Sequence, residues 1–130
     1  MTQEEKELVI KDLCSRLPYN CIVSIAEGGI DGLQWDDATL NSYLLHQIME
    51  EDAWEYVKPY LRPLSSMTEE ERQEYNDLYY QAPIQRSGGN AYRDTKMVEA
   101  LHIDWLNKNM FDYRDLIPKG LAETAPEKLK

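Results

Sequence analysis

A helical pattern ending at Leu17-Pro18 gives way almost at once to the β-branched run of residues 21–26, and that early change of period constrains the fold more than any other feature of the chain. Val9, Ile10, Leu13, Cys14 and Leu17 form an apolar stripe at helical spacing, and Thr2 and Glu5 have capping-box spacing, so residues 2–16 are predicted to be a helix. Pro18 disfavours the helical conformation at Leu17 and ends the element. Cys21-Ile22-Val23-Ser24-Ile25-Ala26 is compact and β-branched, as a strand requires. Helix must therefore pack against strand, and the expected class is α+β.

The rest of the chain extends this pattern. Glu27-Gly28-Gly29 reads as a tight turn and residues 30–35 as the return strand of a hairpin. Asp36-Asp37 is the expected N-cap of a helix over residues 38–50, where Leu40, Tyr43, Leu44 and Ile48 keep a helical period. The adjacent pairs Leu44-Leu45 and Ile48-Met49 alternate poorly, so the pattern favours helix over strand. Pro59 and Pro63 limit residues 53–64 to a short edge strand followed by an extended connection. Thr68, with Glu71 at capping-box spacing, opens a helix running to about Tyr80 that should bury Tyr75, Leu78 and Tyr79 and leave Tyr80 exposed. Residues 82–90 are expected to be a loop. Residues 93–108 should form a helix with Met97, Val98, Leu101, Trp105 and Leu106 on one face, widened by Ala100 and Ile103, and residues 111–117 a short capped helical turn.

With 130 residues the chain suits one domain over residues 1–122: a helix-plus-β unit to residue 64, a helical half from 65, and a frayed tail at 123–130. Thirteen aromatics argue against general disorder. No apolar run approaches the roughly 20 residues of a membrane span, and the polar start lacks a signal-peptide stretch, so a cytoplasmic protein is expected. Cys14 and Cys21 are then expected to be reduced, small and buried.

Between residues 27 and 55 the chain carries Glu27, Asp31, Asp36, Asp37, Glu50, Glu51, Asp52 and Glu55 but no lysine or arginine, which concentrates much of the formal charge of −10. Such a field repels nucleic acid and anionic membrane and favours a basic protein surface. These eight acids and Tyr80 are the candidate partner-binding residues. His46 and Glu50, four apart, and His102 with Asp104 lack a third clustered ligand, so no metal is expected. The acids around residue 36 lack the ligand spacing of a calcium loop. Neither glycine pair is followed by the Lys-Ser/Thr of a phosphate loop. No catalytic residue or cofactor is expected.

Two long strings carry a resemblance. One is Val57-Lys58-Pro59-Tyr60-Leu61-Arg62-Pro63-Leu64-Ser65-Ser66-Met67-Thr68-Glu69-Glu70-Glu71, and the other joins Asp104-Trp105-Leu106-Asn107 to Phe111-Asp112-Tyr113-Arg114-Asp115-Leu116-Ile117-Pro118-Lys119-Gly120-Leu121-Ala122. On these, and on Asp12-Leu13-Cys14-Ser15-Arg16-Leu17-Pro18-Tyr19, the chain resembles a group of small proteins encoded by gut anaerobic bacteria, often near prophage-like or other mobile regions. The resemblance implies a β-rich N-terminal unit joined to a helical half, with residues 39–50 as strand rather than helix. It implies no site residues. The expected function is a non-catalytic interaction module whose acidic N-terminal half meets a basic protein. In its narrowest form it is a mobile-element inhibitor that presents carboxylates to a nucleic-acid-binding host protein. The alternatives are a structural homo-oligomer, held through exposed aromatics and an edge strand, and a small enzyme.

Overall fold

The computed structural model describes the backbone of residues 1–29 and 32–126, and their side chains except within 27–34. The fold is α+β. Helix α1 (Gln3–Arg16) starts as its cap dictates: Thr2 Oγ1 accepts from the Glu5 N–H at 3.1 Å, and the Glu5 carboxylate accepts from the Thr2 N–H at 2.9 Å. Its buried face consists of Val9, Asp12, Leu13 and Arg16, while Cys14 is exposed. The expected stripe through Ile10, Cys14 and Leu17 is thus rotated, because a charged pair at Asp12 and Arg16 turns inward. Cys14 is not the buried residue its spacing implied.

Strand β1 (Ile22–Gly29) follows a 3-10 turn at Leu17–Tyr19 and pairs antiparallel with β2 (Gly32–Thr39), from Ile22 opposite Thr39 to Gly29 opposite Gly32. Glu27-Gly28-Gly29 therefore extends β1 instead of turning; residues 30 and 31 lie outside the described residues. Because β2 continues through Asp36 and Asp37, these are not a helix cap. Asn41 takes that role, its side chain accepting from the Leu44 N–H at 2.8 Å, and α2 spans Ser42–Glu51. The helical period thus prevails over the strand implied by resemblance for residues 39–50.

Strand β3 (Val57–Pro63) corrects another expectation, since it lies inside the sheet despite two prolines. The strand order is β2-β1-β3, continued by the short parallel strand β6 (Phe111–Asp112), with β7 (Glu123–Thr124) also parallel to β3. Pro59 stands opposite Val23 and has no N–H, so the ladder to β1 closes through the neighbouring pair Lys58 and Ser24. The proline nitrogen then faces the other edge, where β7 joins only from Tyr60 onward. A proline is tolerated where no partner asks for its hydrogen. Residues 54–56, expected as edge strand, form a 3-10 turn.

Helix α3 (Glu69–Asp77) begins at the Thr68–Glu71 capping box and passes into a 3-10 turn at Leu78–Gln81. Leu78 is buried, but Tyr79 is exposed along with Tyr80, because the tighter turn swings both rings outward. The expected loop at 82–90 is a hairpin of β4 (Ile84–Ser87) and β5 (Asn90–Arg93), closed by Gly88 and Gly89 with φ of 58° and 86°. Positive φ at both central residues suits the twist of a two-residue turn and favours glycine. Helix α4 (Thr95–Lys108) is capped by Asp94 and buries Val98, Trp105 and Leu106, whereas Met97, Ala100 and Ile103 are exposed. Residues 111–117 are not a helical turn: Phe111 and Asp112 are strand, and the Asp112 carboxylate accepts from the N–H groups of Leu116 and Ile117, both at 2.9 Å. Nor does the chain fray at residue 123, because Glu123 and Thr124 pair with β3 and Ala125 is buried. The C-terminal half therefore mixes helices with short strands.

Two apolar clusters result. One packs α1 and α2 on the sheet through Val9, Leu13, Val23, Leu45, Ile48, Val57 and Leu61, closed by Leu116 and Leu121. The other gathers Leu78, Trp105, Leu106 and Phe111. Cys21 sits in the first, and burial pushes its thiol up to about 12. Among the described residues both cysteines are free thiols. Cys14 is expected to react quickly with a thiol reagent at neutral pH and Cys21 only after unfolding. Two equally fast thiols in a stopped assay would contradict the packing at the start of β1.

Candidate partner-binding groove

The acids that the sequence singled out divide by position. The side chain of Glu27, on β1, is not described, and Asp31 lies outside the described residues. Asp36 and Asp37 are consecutive on β2, opposite Ile25 and Ser24, so their side chains leave the sheet on opposite faces. Asp37 accepts a hydrogen bond from the Tyr60 hydroxyl at 2.6 Å on the outer face, and that bond holds the Tyr60 pKa above its ordinary value. Asp36 shares the face of Ile25. The eight acids thus form no single row.

Glu50, Glu51 and Asp52 come together at the C-terminal end of α2. The helix has no basic residue in its last turn, and Asp52 caps it in the left-handed region at φ 50°. Carboxylates there oppose the helix dipole, which favours cations at that end. One is compensated, since Lys6 reaches Asp52 at 2.6 Å, and His46 Nε2 lies 3.0 Å from Glu50 across one exposed helical turn. Among the described residues Asp36, Glu51 and Glu55 have no ion-pair partner.

Between α2, β1 and the 54–56 turn runs a groove of about 300 Å³, with an apolar lining that includes Ile25, Leu44, Ile48, Ala53 and Val57. Glu51 and Tyr56 also line it. Glu55 precedes Tyr56 in the chain, and its carboxylate holds the Tyr56 pKa above its ordinary value. Asp36 stands across the strand pair from Ile25 but does not line the groove. Apolar walls with carboxylates at the rim can take an aliphatic or aromatic side chain while pairing with cations beside it. Periodicity pointed to the helix, and charge to Glu50, Glu51 and Asp52 at its end. The groove itself was missed, because its walls come from three elements separated in sequence.

Other candidates resolve into structure. His102 stacks on Tyr75 with centroids 4.2 Å apart, and its Nε2 lies 3.1 Å from the Tyr75 carbonyl oxygen. Asp104 accepts from the Tyr19 hydroxyl. Among the described residues no three potential metal ligands cluster, and no helix is long and apolar enough to cross a membrane. Tyr80 lies on the other cluster's side, beside Tyr79 and Arg93, and does not join the acids. No protein-family model, curated protein or solved structure matches the chain.

Proposed function

We propose that this protein is a non-catalytic interaction module that receives a cationic, apolar segment of a partner protein in the α2 groove. The observation that carries this reading is an open apolar groove whose described lining holds no lysine or arginine and includes Glu51, a carboxylate with no ion-pair partner among the described residues. A folded chain gains nothing by placing Glu50 and Glu51 at the negative end of a helix, so that arrangement is understandable as the cost of a binding surface. Mimicry of a nucleic-acid strand would need carboxylates recurring along one face. Asp36 and Asp37 diverge and Asp52 is paired with Lys6, so the groove carries the reading and strand mimicry does not.

The test is titration calorimetry with a defined peptide that alternates leucine with arginine. Binding should weaken in high salt, and Glu51→Lys with Glu55→Lys should reduce affinity by about tenfold or more. The same substitution at Glu51 should leave the free protein slightly more stable, by about 0.3–1 kcal/mol, because a cation then meets the helix terminus. Equal affinity of the reversed variant and the native chain would end the proposal.

A further inference from the structure

Residues 78–93 form the counterpart of the acidic segment: they contain Arg86, Arg93 and three tyrosines and no carboxylate. They fold as the 3-10 turn Leu78–Gln81 and the β4–β5 hairpin, whose strand residues are exposed except for the half-buried Arg93. Arg93 fastens the hairpin base. It lies over the rings of Tyr79 and Tyr80, 5.5 Å from each centroid, and donates to the carbonyl oxygens of Tyr80 and Ala82. Ile84 and Arg86 lie two apart on β4 and so share a face, which Ala91 and Arg93 complete from β5. Ile84 is 53 % exposed, and among the described residues Arg86 makes no ion pair. A two-stranded ribbon is marginal by itself in water, and an outward isoleucine beside an unpaired arginine makes it a candidate contact.

We propose that this hairpin docks into the α2 groove of a second copy of the chain. Ile84 would enter between Leu44 and Ile48. Arg86, about 7 Å further along the same strand face, would meet Glu51. The proposal rests on the groove being a site for a cationic, apolar segment, and it names that segment. Its support is charge complementarity: residues 27–55 carry no lysine or arginine, and residues 78–93 no aspartate or glutamate. The two surfaces differ, so the contact is heterologous and leaves a free groove at one end and a free hairpin at the other. Assembly is then head to tail, open or closing into a ring, and it weakens as salt rises.

Sedimentation of the full chain over a range of concentrations at low salt tests this, with two variants that block one surface each. Ile84→Ser with Arg86→Ser alters only the hairpin, and Glu51→Lys only the groove. The native chain is expected to associate, each variant to remain monomeric alone, and an equimolar mixture to stop at a one-to-one dimer with a single intact contact. A native chain that stays monomeric at the highest concentration overturns the proposal; if the cationic peptide still binds, the groove reading survives. Association that persists in the groove variant also overturns it, since another surface must then be in use.

Discussion

Asp12→Asn is expected to remove about 3–5 kcal/mol of stability, the loss typical when one member of a buried ion pair is deleted. Asp12 and Arg16 are both fully buried, with Arg16 Nε 2.9 Å from Asp12 Oδ2. Arg114 reaches the other carboxylate oxygen at 2.7 Å, and Arg16 also donates to the carbonyl oxygen of Phe111 at 2.7 Å. One carboxylate thus holds two guanidinium groups and joins α1 to the segment after α4. Neutralising it leaves Arg16 charged, enclosed and without a counter-ion. Typical domains have about 5–15 kcal/mol in total, so the variant should unfold at a much lower urea concentration with an unchanged slope. Replacing Asp12, Arg16 and Arg114 together by Leu, Met and Met should recover much of the loss, because well-packed apolar groups do not need the pair. A single variant within about 1 kcal/mol of the native chain would refute this account of the α1 anchor.

Glu71→Gln is the second large effect, about 1.5–3 kcal/mol at neutral pH, the usual worth of hydrogen bonds to charged groups. Both Glu71 oxygens accept from Arg62, each at 2.7 Å, while the same carboxylate accepts from the Thr68 N–H at 3.0 Å. Arg62 in turn stacks on Phe111, 4.3 Å from its ring centroid, so the pair links β3, the start of α3 and the second cluster. The Arg62 hydrogen bond, with the cap bonds, holds the Glu71 pKa down to about 2 from an ordinary 4.5. A depressed folded pKa means the contribution is complete above pH 4.5 and is lost as pH falls through about 2. Acid titration of stability should therefore show a drop across that window that is smaller in Glu71→Gln. Parallel curves for the two proteins would contradict it.

The starts of α1 and α3 were legible because each is decided within one turn. Thr2 with Glu5 and Thr68 with Glu71 cap α1 and α3 as their spacing implied. The period of Leu44 and Ile48 likewise identified α2 as a helix, although its start is set by Asn41 and not by Asp36-Asp37. The candidate site was legible only as charge. Nothing local to residues 36 and 37 reveals that they lie on a strand and diverge, and nothing in Ile25 or Val57 announces a shared wall with α2.

Composition and spacing alone determined the α+β class, the caps of α1 and α3, the first strand and the cation-free stretch from 27 to 55, since each depends on residues within a few positions of one another. Only the tertiary structure decided that Asp12 turns inward, that β3 holds prolines inside the sheet, and that a groove opens beside Glu51. Those outcomes depend on partners far apart in the chain, 102 residues in the case of Arg114 and Asp12. A buried charge is tolerable only where its distant counter-ion arrives, and a proline only where the edge it faces lacks a strand, so neither can be read before the chain has folded.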